Sequence, residues 1–168
     1  MISTPYLKSL LQAHHCQGKT NDCGPFSVAI VLRALNLTGL EGSKLGKQMN
    51  AIRWWGILPT LQRIPNWATF PWGVTNAIHK FGLSVTWNAF QTDSALIRTL
   101  RQGSIPIAII GEWKPLWAHY MILVAQDDKL GWGFVDPAHQ RAEIIWKQDS
   151  VFERQWKNYG SILITVIP

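Results

Sequence analysis

The sequence predicts an α+β fold in which a helical first half is followed by a largely antiparallel sheet. Three observations carry the prediction. Apolar residues over 24–36 recur with helical spacing. Residues 83–167 break into short apolar runs separated by Gly, Pro and Asp turns. An apolar content of 47% over 168 residues is enough for one sizeable core. In the first helix, Val28, Val31, Leu32 and Leu35 stand at i, i+3, i+4 and i+7. Phe26, Ala29 and Ile30 fill the other faces, so the helix is expected to be mostly buried. Pro25 lies in the first turn, where a missing N–H costs nothing, and Asp22 is the expected cap. Further helices are expected at about 43–53 and at 73–81, the latter ended by Gly82. Between them, residues 54–72 contain Pro59, Pro65 and Pro71 and read as irregular. A stretch that long is expected to pack over a surface and to border a cleft. Strands are expected at 83–89, 105–110, 119–125, 131–136, 141–146 and 161–167, with one helix near 94–102 ended by Gly103. One domain, helical over about 1–82 and sheet over about 83–168, is the expected organisation, with no internal repeat or low-complexity segment.

The chemistry-bearing residues sit at the joints of these elements. Cys23 falls between the polar run Gln17-Gly-Lys-Thr-Asn-Asp22 and the apolar helix. The unpaired N–H groups and dipole of a helix N-terminus favour the charged, nucleophilic form of a cysteine placed there. A nucleophile needs a base, and the base needs an orienting group. His119 opens the apolar run Tyr120-Met-Ile-Leu-Val-Ala125, which reads as a buried strand. Gln126-Asp-Asp-Lys129 reads as a turn, and residues 131–135 return as a second strand stopped by Pro137. A hairpin with an even-numbered loop centred between Asp127 and Asp128 would set His119 directly opposite Asp136. Their Cβ atoms would then lie about 5 Å apart.

The Gln-x5-Cys-Gly block, the His-Tyr-Met-Ile-Leu-Val strand and the Val-Asp-Pro strand end resemble the papain-like cysteine peptidases. The resemblance is strongest to the bacteriocin-processing branch, which cuts double-glycine leader peptides, and to its free-standing relatives. It covers residue 17 to the C-terminus. It implies a papain-like fold whose central helix starts at the nucleophile, with Cys23 as nucleophile and His119 as general base and acid. Asp136 would orient the imidazole, and Gln17 would supply an oxyanion donor. Asp22 and Gly24, flanking Cys23, and Trp117, two residues before His119, are the expected substrate contacts. The implied partner is a peptide or protein substrate, and no cofactor is implied.

Other function classes fit less well. The formal charge of +6 comes from scattered Lys and Arg, with no basic run and no nucleic-acid module. His14, His15, Cys16 and Cys23 have no second pair at zinc spacing, so no metal site is expected. A Cys16–Cys23 bridge would disable the nucleophile, and a reduced thiol is the simpler expectation. No signal peptide and no membrane-length run is read, which makes a cytoplasmic protein without membrane insertion the expectation. The ten tryptophans include Trp54, Trp55, Trp67, Trp72, Trp113 and Trp117 in or near Pro- and Gly-rich segments. These could line an aromatic groove or simply pack between two lobes. Two rival functions stay open: a papain-like acyltransferase or transpeptidase, and a non-catalytic peptide-binding module.

Overall fold

The computed structural model describes residues 1–50, 53–55 and 58–168, with no side chains described over 51–59. In chain order the elements are β1 Ile2–Ser3, α1 Leu7–Ala13, α2 Cys23–Ala34, α3 Gly42–Met49, β2 Arg53–Trp55, β3 Leu58–Thr60, β4 Arg63–Ile64 and β5 Ala68–Thr69. They continue as α4 Pro71–His79, β6 Ser84–Asn88, α5 Asp93–Arg101, β7 Ile105–Trp113, β8 Leu116–Asp127, β9 Gly131–Val135, β10 Ile145–Lys147, α6 Asp149–Lys157 and β11 Leu163–Ile167. The main sheet runs β10-β9-β8-β7-β11-β6, and β1 pairs with the far end of β8. Its pairings are antiparallel.

Both faces of the sheet are covered. On one side α1, α2, α3 and α4 pack over Ile105, Ile107, Ile109, Tyr120, Ile122, Val124, Val135, Ile164 and Val166. On the other, α5 and α6 close over Ala108, Ile110, Met121, Leu123, Trp132 and Phe134. Double coverage is why 120–125 is continuously apolar although the sheet is antiparallel; a sheet with one wet face would alternate. Helix α2 runs through the first core, with Val28, Ala29, Ile30, Val31 and Leu32 fully buried. The second core is aromatic: Phe152 lies 5.4 Å from Trp132, 5.2 Å from Phe134 and 5.4 Å from Trp156, centroid to centroid.

The α+β fold expected from sequence is present, but its two halves are less separate than expected. Strand β1 stitches the N-terminus into the sheet, and α6 joins the expected α5 in the second half. Helix α6 was not expected, because Phe152 and Trp156 are its only large apolar anchors. Helix α1 was missed for its shortness, although Leu7, Leu10 and Leu11 have helical spacing. The strand expected at 141–146 is reduced to Ile145–Lys147. The irregular 54–72 stretch forms two small hairpins, β2–β3 and β4–β5.

The β8–β9 register differs from expectation in an instructive way. Ile122 faces Val135, where the even-loop register would put residue 133. The loop is residues 128–130, an odd length, which alone would turn β9 over. A bulge between Leu123 and Ala125 removes the odd step. The net displacement is two residues, so side chains keep the face that the expected register gave them. His119 and Asp136 are therefore diagonal neighbours, not opposed ones.

Candidate active site

Cys23 is the first residue of α2, half-buried, and Phe26 N–H donates to the Asp22 carbonyl at 3.0 Å as the helix begins. Asp22 does not cap the helix with its side chain, contrary to expectation. Its carboxylate is engaged by the buried guanidinium of Arg63, on β4. Gly24 follows Cys23 because Thr69 presses on the helix start: a Cβ at residue 24 would lie 2.7 Å from Thr69 Cβ. Thr69 is held there by Tyr120, whose hydroxyl donates to the Thr69 carbonyl at 2.8 Å. The cysteine thus sits in a corner made by α2, the β4–β5 hairpin and β8.

The sheet brings His119 to that corner. His119 Nε2 lies 2.6 Å from Asp136 Oδ1, and the two side chains are only 15% and 17% exposed. Asp136 Oδ1 also accepts the Ala138 N–H at 2.7 Å, which fixes the carboxylate from a second side. With Nε2 taken by Asp136, Nδ1 is the nitrogen left to face Cys23, whose thiol acts on the imidazole electrostatically. Burial pulls the His119 imidazole down, but the hydrogen bond with Asp136, the Cys23 thiol and the charges of both outweigh it, and the group is pushed up to about 9. Burial pushes the Asp136 carboxyl up, but the His119 hydrogen bond and charge and the Ala138 N–H bring it below its ordinary value. Burial and the nearby Cys23 push the Tyr120 phenol well above its ordinary range.

These shifts predict a pH dependence of stability with a definite sign. His119 is raised on folding, so its contribution is complete below the unfolded value of 6.5 and is lost as pH rises through about 9. Asp136 is lowered, so its contribution is present above 3.8 and disappears as pH falls through the depressed value. Ring-nitrogen NMR should show the His119 imidazole titrating near 9 and dropping toward the ordinary value in Asp136→Asn. A His119 ring that titrates at the ordinary value in the wild type would overturn the charged pair.

Gln17 lies on a loop tied to the same corner. Its backbone N–H donates to the Pro137 carbonyl at 2.8 Å, His14 Nε2 donates to the Asp136 carbonyl at 3.0 Å, and the Cys16 thiol points at the Ala138 carbonyl at 3.7 Å. The Gln17 side-chain amide donates to the Thr20 carbonyl at 2.7 Å. An amide nitrogen carries two hydrogens, so one remains for another acceptor. Gly18, at φ 66°, turns the loop. His14 and His15 point to different partners, His15 receiving the Gly42 N–H and lying against Phe26. Among the described residues no group of three or more His, Cys, Asp or Glu is placed to hold a metal ion. No helix of the described residues is long and apolar enough to cross a membrane.

The tryptophans divide. Trp132 and Trp156 are core, whereas Trp67 is 68% exposed at the β4–β5 tip and Trp117 is 36% exposed on β8. Trp72 stacks on Phe70 at 4.6 Å and donates to the Leu61 carbonyl. The Trp54 and Trp55 side chains lie outside the described residues. Sequence reasoning missed Arg63, which meets Asp22, Thr69, which abuts Gly24, and Tyr120, which faces Cys23. Their placement depends on the β4–β5 hairpin reaching across to α2, and no local pattern announces that.

An antiparallel sheet covered by helices on both faces is the fold of the papain-like C39 peptidases. Solved structures agree on the fold. A Bacillus anthracis protein described as a C39-like peptidase superposes with a TM-score of 0.73 over 100% of this chain and 98% of its own, at 12% identity. A double-glycine motif protease from an AMS/PCAT transporter, in complex with the leader peptide, superposes with a TM-score of 0.61 over 92% of this chain and 90% of its own, at 16% identity. No protein-family model and no curated protein matches the sequence.

Proposed function

We propose that this protein is a cysteine peptidase that hydrolyses peptide bonds through Cys23, His119 and Asp136, with Gln17 as oxyanion donor. The observation that carries the reading is the His119–Asp136 pair, 2.6 Å apart, in the same corner as Cys23 at the start of α2, and the imidazole pushed up to about 9 is in keeping with it. In the first step Cys23 Sγ attacks the carbonyl carbon, and the π electrons move to the oxygen. The Cys23 backbone N–H and the free Gln17 amide hydrogen receive that oxyanion. A single donor of this kind is worth about 3 kcal/mol of barrier. The imidazolium gives its proton to the leaving nitrogen as the C–N bond breaks, leaving a thioester. His119 then takes a proton from water, whose oxygen displaces the thiolate and releases the acid. Asp136 holds Nε2 throughout, so that Nδ1 handles the proton.

The substrate class we favour is an extended peptide cut after small residues. Two observations support it: the closeness of Thr69 to Gly24 beside the nucleophile, and the leader peptide bound in one structural neighbour. Two free cysteines, one of them the nucleophile, suit a reducing compartment such as the cytoplasm.

The test is iodoacetamide alkylation followed against pH with peptide mapping, in wild type and His119→Ala. Cys23 should label quickly below neutral pH and lose that advantage in His119→Ala, with Cys16 as internal control. An ordinary thiol reacts only as pH approaches about 8.5. Labelling of Cys23 that merely tracks Cys16 would leave no activated thiol and sink the assignment. Given activation, a product ratio favouring added amines over water would make the protein a transferase.

A further inference from the structure

Arg63 is 4% exposed, and its guanidinium meets the carboxylate of Asp22, itself 13% exposed, directly before Cys23. The chemistry above uses neither residue. An unneutralised carboxylate at that position would oppose the negative charge that Cys23 must carry when it attacks. The helix start does not offset it, because the Asp22 side chain makes no hydrogen bond to the first turn of α2.

Arg63 is delivered by the β4–β5 hairpin, which several contacts outside the ion pair hold against α2. Asn21 Nδ2 donates to the Asn66 carbonyl at 2.9 Å and Tyr120 holds Thr69, while Phe70 N–H, donating to the Gln62 carbonyl at 3.1 Å, closes the base of the hairpin itself. Helix α3 leaves room for the cation, since a Cβ on Gly46 would overlap Arg63 Nη1. Arg63 Nε is buried without a partner. A buried ion pair with an unmade hydrogen bond is poor glue, because apolar residues of similar size generally hold two elements at least as well. The charge itself is therefore the useful property.

We infer that Arg63 is a positioning residue for the nucleophile: its buried cation neutralises Asp22, so that the charge on Cys23 faces the His119 imidazolium without an opposing carboxylate. The other groups facing Cys23 among the described residues are Tyr120, buried as the neutral phenol, and Asp136 behind His119. This rests on the reading of Cys23 as nucleophile.

The experiment compares the pH profile of Cys23 alkylation in wild type, Arg63→Met, Asp22→Asn and the double variant, with thermal melting alongside. At pH 6, Arg63→Met should label about tenfold more slowly and Asp22→Asn about tenfold faster, the size expected for one nearby charge under partial screening. The double variant should return to within about twofold of wild type. A double variant as slow as Arg63→Met would mean a structural role only, and an unchanged Arg63→Met would equally overturn the inference. Should Arg63→Met fail to fold, Asp22→Asn decides alone, since unchanged or slower labelling there contradicts the charge argument. A wild-type Cys23 with ordinary reactivity would instead defeat the peptidase reading, which keeps the two failures apart.

Discussion

Replacing Cys23 by Ala is expected to abolish turnover of any peptide that the wild-type protein cleaves and to leave the fold in place. Both halves of this expectation follow from where the residue sits. Cys23 is half-buried at the end of α2, and the helix is held from Gly24 onward by a continuous buried run. Losing one sulfur from the rim of that core should change stability by no more than about 1 kcal/mol. The kinetic loss is of a different order, because the proposed thioester forms on the Cys23 sulfur itself. Removing the nucleophile of a covalent triad costs on the order of 10⁶-fold in turnover elsewhere. The check is single-turnover cleavage of a substrate found by peptide profiling, with melting temperature read on the same sample. Wild-type cleavage by Cys23→Ala would remove the nucleophile assignment outright.

His119→Ala should be nearly as damaging, at about 10⁴-fold or more, because it removes both the proton donor for the leaving nitrogen and the counter-charge for the thiolate. Asp136→Asn should be milder, about 10²-fold. An Asn Oδ1 can still accept the Ala138 N–H and the His119 Nε2–H, which preserves the geometry seen around Asp136. What it loses is the charge that keeps the imidazole protonated. The two variants should therefore differ in pH profile as well as size: Asp136→Asn shifts the alkaline limb of activity downward, whereas His119→Ala removes it. Cleavage rates measured from pH 5 to 10 distinguish them, and an unshifted limb in Asp136→Asn would contradict the role given to the carboxylate.

The candidate site was legible because its parts lie at element boundaries, where composition changes abruptly. A cysteine between a polar loop and an apolar helix, and a histidine at the head of an apolar run, can be seen without knowing what packs where. The His119–Asp136 contact came out of a wrong register for a sound reason. Strand side chains repeat every two residues, so a two-residue displacement leaves partners on one face and within a diagonal reach. The Asp22 side chain was misassigned because capping is a local inference, and the ion pair that captured it comes from Arg63, 41 residues away. Helix α6 was invisible for a related cause: its partner surface, the Trp132 and Phe134 side of the sheet, exists only once the sheet has formed. Local chemistry is written in the sequence in short words, whereas the contacts that tune it are assembled only in three dimensions.

The loop from His14 to Gln17 grips three successive carbonyls, those of Asp136, Pro137 and Ala138, from a place far earlier in the chain. Mechanically this makes the proposed oxyanion arm and the orienting carboxylate a single jaw. Neither can drift without dragging the other, so a loosened joint would degrade charge stabilisation and proton transfer together.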